Sequence, residues 1–369
     1  MKPLVLVGAG HSHIALLGRA ERLRAAGFDI TLVDPGSFWY GGAAAGVLAG
    51  QFSQVALKLP LRRFCADRGV HYRADRAIGM DTRHRRLWLA SGDMLNFDTL
   101  SMDVGLENSL SVATGSHEPP QLWSAVDVSA LLQFADTLMS ESRGGALRRI
   151  AVVGAGARAL EVVAGLGAHP QARAFQIAWF VPHARILPGA PVALERRIRR
   201  RLTARGVEII AHTAIIQKVD GAIVSDDGRR FAMDHAVLAG DASAARFVHA
   251  ARLPAQQAGL YVTRRLQSPS DARVYAAGAC ASVLGAQGEH RYSERHARVL
   301  AHNIEAGARQ RPFQSVRANA GATVVDLGDG QAAGWRGRLW WQGRALARRK
   351  ARSHAKWLAL IAQYAPVSR

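Results

Sequence analysis

The chain is poor in cysteine, in acidic residues and in long apolar runs, and each shortage excludes something. Its only cysteines, Cys65 and Cys280, stand far apart in 369 residues. No disulfide framework, Cys-x-x-Cys redox pair or zinc-ligand spacing can be drawn from them, so the reading is a reducing compartment and no metal site. No stretch approaches the ~20 apolar residues of a membrane-spanning helix. The first apolar run, Leu4-Val5-Leu6-Val7, is too short for a signal-peptide core, and the expected localisation is cytoplasmic. Acids are outnumbered, 28 Asp and Glu against 48 Lys and Arg, for a formal net charge of +20. That balance favours anionic partners such as nucleotides, nucleic acid or an acidic membrane surface, and says nothing about fold.

Glycine and apolar residues are abundant instead. The 36 glycines and 49% hydrophobic content fit an α/β protein with many tight turns, and the length allows two or three domains with their own cores.

The chain is organised around residues 1–12. Leu4-Val5-Leu6-Val7 reads as a buried parallel strand. It stops at Gly8-Ala9-Gly10, and after His11-Ser12-His13 the residues Ile14, Leu16 and Leu17 begin a helical pattern. Strand, glycine turn and helix aim backbone N–H groups and a positive helix end at a pyrophosphate. Gly8 permits the turn and Gly10 lets phosphates approach, while His13 replaces the third glycine of the G-x-G-x-x-G pattern. Ile30-Thr31-Leu32-Val33 ends in Asp34, placed as an acid that holds a ribose hydroxyl. Without Asp34 the motif would read as an ordinary strand-turn-helix.

The pattern then returns. Arg149-Ile150-Ala151-Val152-Val153 runs into Gly154-Ala155-Gly156-Ala157-Arg158-Ala159-Leu160-Glu161 and an apolar helix, with a strand at 175–181. Strand-like segments follow in each unit, at 70–73, 77–80, 85–89 and 95–97 in the first and at 206–210 and 222–224 in the second. Each unit closes on an Asp-led strand ending in glycine, Asp98 to Gly105 and Asp234 to Gly240. The matched order of parts reads as an internal duplication. Residues 106–120 read as a polar linker. Residues 35–42 and the small-residue stretch 43–50 suit a loop and short helix, either against a flat ligand or as a plain connection. Further on come strands at 259–263 and 272–281, a helix over 292–308, and a strand and turn at 322–330.

Gly8-Ala9-Gly10-His11-Ser12-His13, the stretch Tyr40-Gly41-Gly42 to Ser53, Leu100 to Gly105, Gly154 to Glu161 and Val274 to Cys280 together resemble the flavoproteins with two dinucleotide-binding domains. This is the class of type II NADH dehydrogenases and pyridine nucleotide-disulfide oxidoreductases. Within it the chain is most similar to NADH-dehydrogenase-like proteins linked to selenide, water dikinase, in which the histidine-bearing first motif is typical. The resemblance implies an α/β fold of two Rossmann-like dinucleotide-binding domains, the second inserted in the first, plus a basic C-terminal helical tail. An FAD-binding domain would take 1–115 and 245–320, an NAD(P)-binding domain 116–244, and a basic, aromatic segment 321–369.

The resemblance also implies the site. Gly8, Gly10 and Ser12 would sit at the FAD pyrophosphate, Asp34 at the adenosine ribose, Tyr40, Gly41 and Gly42 near the isoalloxazine, and Gly105 on the adenine side. His11 and His13 are assigned cofactor contact only. Gly154 and Gly156 would cradle the NAD(P)H pyrophosphate. Ala77, Arg158, Glu161, Gly240, Gly278 and Ala279 complete the cofactor-binding set, together with Arg185. No catalytic acid or base is named, because hydride transfer is the cofactors' chemistry. Without a cysteine pair, a dithiol relay is not expected, and Cys280 reads as a small packed residue.

Several positions depart from the pattern. The class usually carries an aspartate directly after the glycine matching Gly278, where it holds the flavin's ribityl chain, and here that residue is Ala279. The strand at 175–181 ends in Pro182-His183-Ala184-Arg185 with no acid. Arg185 either meets a 2′-phosphate, favouring NADPH, or is a surface arginine. The segment 290–296 is more charged than a flavin-capping segment should be.

From Trp335 to the C-terminus there is no acidic residue, and Arg336, Arg338, Arg344, Arg348, Arg349, Lys350, Arg352 and Lys356 alternate with Trp335, Trp340, Trp341 and Trp357. This suits either an interfacial helix on an acidic membrane or a helix packing its tryptophans on the body. A second cluster at 196–201 reads as a solvated helix face. No nucleic-acid motif accompanies the charge. The expected function is an FAD-dependent NAD(P)H oxidoreductase delivering electrons to a quinone or another small acceptor, peripheral on the inner membrane face, with a homodimer left open. The other class left open by Ala279 is a degenerate member that binds nucleotide weakly as a sensor or scaffold.

Overall fold

Leu4, Leu6, Ile30 and Leu32, all fully buried, form the middle of a five-stranded parallel sheet. Its order is Val274–Ala276, Thr99–Met102, Lys2–Val7, Phe28–Val33, His71–Arg73. The computed structural model describes all residues except 109–112, 115–119, 143–144, 241, 286–292, 318–320 and 366–369. A second parallel sheet repeats the arrangement, in the order Gln121–Ser124, His235–Leu238, Arg148–Val153, Phe175–Val181, Glu208–Ala211. Each position of one sheet has a counterpart in the other. Each unit also carries a three-stranded antiparallel meander, Ala77–Asp81, Arg86–Leu89, Met94–Asn96 and Ile215–Val219, Ala222–Ser225, Arg230–Ala232. The edge strand Val274–Ala276 joins the first sheet only after the chain has completed the second, so the second unit is inserted in the first. The expected fold class holds.

A C-terminal module follows, made of the antiparallel strands Thr323–Asp326, Ala332–Arg336 and Leu339–Gly343 and the helix Arg344–Ala362.

Three expectations need correction. The linker at 106–120 contains strands. Leu106–Asn108 pairs with Ala242–Ala244, and Ala113–Thr114 joins the edge of the second meander, because a crossing segment leaves backbone groups that the neighbouring edges satisfy. Residues 109–112 and 115–119 of that linker lie outside the described residues. The tryptophan-rich tail is not one helix. Trp335 and Trp340 face each other across a hairpin that turns at Gly337 (φ +57°), and only Trp357 lies on the helix. Finally, a 15-residue helix, Val128–Ser142, precedes the second motif where no helix was assigned. It buries Leu131, Leu132, Phe134, Ala135 and Leu138, an apolar stripe at helical spacing.

The short helix Ala44–Leu48, expected in the stretch 43–50, packs against the helix Ala157–Ala168 of the second unit. A side chain at Gly165 would press on Ala45 and Leu48, so glycine there permits the close approach. The helix expected at 292–308 spans Ser293–Ala308. Of the charged segment singled out before it, His290, Arg291 and Tyr292 lie outside the described residues.

Candidate functional site

Both glycine turns lie at the carboxyl ends of their sheets, where doubly wound folds bind ligands. In the first, Gly8 (φ +87°) donates its N–H to Val33 O at 2.8 Å. A Cβ on Gly8 would overlap the Asp103–Val104 backbone, so only glycine fits. Gly10 leads into the helix His11–Leu17 and donates to Asp103 O at 3.0 Å. In the second, Gly154 (φ +122°) sits against the Gly240 backbone and Gly156 (φ +97°) opens the helix Ala157–Ala168. A Cβ on Gly156 would meet no atom within 4 Å among the described residues, which leave the second turn open in front of that helix.

Asp34 ends the second strand as expected. Its carboxylate accepts the Ala9 N–H at 2.8 Å and the Gly36 N–H at 2.9 Å, which fixes it beside the first turn. The Tyr72 hydroxyl donates to the Asp34 and Gly36 carbonyls.

The first turn also holds a carboxylate that was not assigned to the site. Asp103, 3% exposed, accepts the N–H groups of Ser12 at 2.7 Å and His13 at 3.2 Å, both on Oδ2. Its carboxyl group lies so close to Gly10 and Gly278 that a Cβ on either would overlap it. Burial pushes Asp103 up to about 7, against the pull of those two amides. Ala279 therefore does not leave the neighbourhood of Gly278 without an acid, because the adjacent strand supplies one. Ala279 itself begins to turn the chain within the 3₁₀ segment Gly278–Cys280.

The histidines here are neutral. Burial holds His11, His13 and His296 down at about 4. His13 Nδ1 lies 2.6 Å from Gly8 O, which only accepts, so Nδ1 carries the proton and Nε2 accepts from the Ser101 hydroxyl at 2.8 Å. His13 thus replaces a glycine in order to tie the turn to the closing strand. Gly278 N–H donates to His296 Nδ1 at 3.1 Å, which leaves the proton of His296 on Nε2. That buried nitrogen has no partner among the described residues.

The stretch Tyr40-Gly41-Gly42 is held by packing. A Cβ on Gly41 would overlap Val128, and one on Gly42 the Tyr40 ring. Tyr40 is buried beneath the C-terminal helix, stacked on Trp357 and bonded through its hydroxyl to His354 Nδ1 at 2.7 Å. His11 and Phe38 pack edge-on and tilted against the same indole. A cavity of about 460 Å³ lies behind this cluster, lined by Ile14, Arg19, Phe64, Arg68, Arg298 and Trp357 among others, and by none of the glycine-turn residues.

The remaining candidates divide. Arg158 bonds the Gly240 carbonyl and stays at the second turn. Glu161 is turned to the C-terminal module, where it accepts the Asp326 N–H at 3.1 Å and pairs with Lys350. Arg185 is paired with the buried Glu195 at 2.7 Å. Ala77 lies in the first meander opposite Leu89, and Gly105 (φ +72°) follows the closing strand. Cys65 and Cys280 are free and buried, and burial pushes both up to about 12. No metal-binding group of three or more His, Cys, Asp or Glu occurs among the described residues.

Two matched parallel sheets, each with a glycine turn opening a helix, define a protein with two dinucleotide-binding units. The chain belongs to the pyridine nucleotide-disulphide oxidoreductase family, whose model matches residues 2–306. The mouse (Mus musculus) ferroptosis suppressor protein 1 is 24% identical over 350 residues, covering 90% of this chain and 87% of that protein. The sulfide:quinone oxidoreductase of Aquifex aeolicus superimposes with a TM-score of 0.78 at 17% identity, over 100% of this chain and 93% of that one. The ferredoxin reductase of the CYP199A2 system of Rhodopseudomonas palustris does so with 0.72 at 18% identity, over 90% and 82%. The family's cofactors are FAD and NAD(P)H. The open second turn fits the pyrophosphate of a dinucleotide, and the first has Asp34 as an acid beside it and, among the described residues, an unpartnered buried N–H at His296 beside Gly278.

Proposed function

We propose that the chain is an NAD(P)H dehydrogenase in which FAD occupies the first unit and NAD(P)H the second, with a quinone or another small molecule as acceptor. One observation carries the reading: the two glycine turns sit at equivalent ends of two matched sheets, and the described residues leave the second open in front of its helix. Together the two cofactors supply hydride transfer from nicotinamide to flavin. The protein's part is to position and shield them. Gly8, Gly10 and Asp34 would hold the FAD pyrophosphate and adenosine ribose, and Gly154, Gly156 and Arg158 the pyrophosphate of NAD(P)H. The buried, free cysteines favour direct delivery to the acceptor over a dithiol relay.

A quinone acceptor is supported by the likeness to the sulfide:quinone oxidoreductase and by the C-terminal hairpin. That hairpin leaves Leu339 72%, Trp340 36% and Trp341 38% exposed between Arg336, Arg338 and Arg344. No helix among the described residues is long and apolar enough to cross a membrane. Aromatics flanked by cations suit peripheral docking on an acidic membrane, its inner face in this reading.

A second reading, a degenerate member that binds nucleotide weakly, draws on the Asp103 carboxylate at the first turn and the Trp357 cover on Tyr40. Absorbance spectra of the purified protein separate the two. A flavin band that bleaches under NADH or NADPH supports the dehydrogenase, and a protein colourless after incubation with FAD supports the degenerate reading.

A further inference from the structure

The two units differ at one position that their shared geometry makes comparable. Asp103 N–H donates to Val7 O at 2.9 Å, and Ala239 N–H donates to Val153 O at 2.8 Å, each closing strand binding the central strand just before its glycine turn. The first glycine rests on the Asp103–Val104 backbone in one unit and on the Ala239–Gly240 backbone in the other. Asp103 and Ala239 are therefore equivalent. In the second unit the Ala239 methyl group and the other described residues leave the space before Gly156 empty, whereas in the first a carboxyl group fills the space between Gly10 and Gly278.

Burying that carboxyl costs free energy, visible in its raised value, and the Ser12 and His13 amides with the Ser12 hydroxyl offset only part of it. Both amides fall on Oδ2, and Oδ1 is directed at Gly278. A carboxylate repels phosphate and, having about four lone-pair sites, accepts from a further hydroxyl. The sheet order indicates which hydroxyl. Asp34 ends the strand on one side of the first turn, while Asp103 and Gly278 follow the two strands on the other side. A dinucleotide with its adenosine ribose at Asp34 and its pyrophosphate at the glycine turn extends its second sugar chain over Asp103. His296 Nε2–H, buried beside the same glycine and unpartnered among the described residues, offers a donor there.

We propose that Asp103 is the acid that binds a hydroxyl of the flavin's sugar chain, in place of the one absent at Ala279. The assignment rests on FAD occupying the first unit, and the test separates the two claims. The purified chain and its Asp103→Asn variant are titrated with FAD and with ADP, which has the adenosine and pyrophosphate but no second sugar chain. Losing a hydrogen bond to a charged group should weaken FAD about 10- to 100-fold. ADP should bind as well or more tightly, since it has no second sugar chain to lose and the variant removes a charge that repels phosphate. FAD binding that is unchanged or tighter in the variant overturns the proposal, as does an equal loss for both ligands. Asp103→Ser gives the same comparison if the Asn variant does not fold, and failure of both to fold would make Asp103 structural and overturn it. A wild-type chain that binds ADP but not FAD overturns the FAD reading and this assignment together. Normal FAD binding with insensitive variants overturns this assignment alone.

Discussion

The indole of Trp357 is stacked on the phenol of Tyr40, with ring centroids 5.4 Å apart and planes 15° from parallel. Tyr40 follows the second strand of the first sheet, and Trp357 lies near the C-terminus of the chain. His354, one helical turn earlier, holds the Tyr40 hydroxyl at 2.7 Å, so two side chains of the last helix fix one tyrosine. The same helix pairs Lys350 with Glu161 of the second unit. The helix thereby ties both units together.

That clamp has separable parts. Trp357→Ala should destabilise the protein by about 3 kcal/mol or more through lost burial and a cavity. Tyr40→Phe keeps the stack, loses the hydroxyl bond and should cost about 1 kcal/mol. Urea midpoints of the two variants measure the difference, and equal losses would contradict the stack's larger share.

The glycines of the second turn should respond differently to alanine. Gly154→Ala drives a Cβ into the Gly240 backbone and should unfold the unit or strongly destabilise it. Gly156→Ala meets no atom of the described residues within 4 Å and carries the strain of a positive φ, about 1 kcal/mol. Its methyl group projects where a pyrophosphate would lie, so KM for NAD(P)H should rise several-fold while the flavin absorbance stays unchanged. Steady-state kinetics with both nucleotides check this.

How much of this was legible in the sequence follows from how local each feature is. Gly8, Gly10, Gly154 and Gly156 were readable because a turn of positive φ is specified within a few residues. The strands of both sheets were readable for the same reason, except the half-buried edge strand Gln121–Ser124, which no apolar run marks. Asp103 was in view as part of an apolar strand, but its role depends on sheet register, which brings Gly10 and Gly278 against it. Trp357 on Tyr40 is likewise a contact between distant segments. The tail was misjudged because Arg336-Gly337-Arg338 reads as helix by charge, although Gly337 marks the hairpin turn. The helix Val128–Ser142 carried an adequate signal in Leu131, Leu132, Ala135 and Leu138.

Stability should depend on pH with two opposed slopes. His11, His13, His296 and His354 are held at about 4 by burial, below an unfolded value of ~6.5. Their stabilisation is present above pH ~6.5 and lost as pH falls towards 4. Asp103 is raised to about 7 from an unfolded ~3.9, so its contribution is complete below that value and lost as pH rises through 7. Above pH ~6.5 the histidines are level and Asp103 acts alone among these groups. Urea midpoints from pH 6.5 to 8 should decline in the wild type and less in Asp103→Asn. Parallel profiles would contradict a buried, titrating Asp103.

Membrane docking through the hairpin is tested by sedimentation with vesicles containing anionic lipid. Trp340→Ser with Trp341→Ser should reduce binding several-fold, and raising the salt should weaken what remains. A full-length protein that never binds acidic vesicles contradicts the docking.

The most direct test of the whole account is the visible spectrum of the purified protein, before and after anaerobic addition of NADH or NADPH. The account predicts a flavin band that bleaches with at least one of the two nucleotides. A protein that shows no flavin band, even after incubation with FAD, would contradict it.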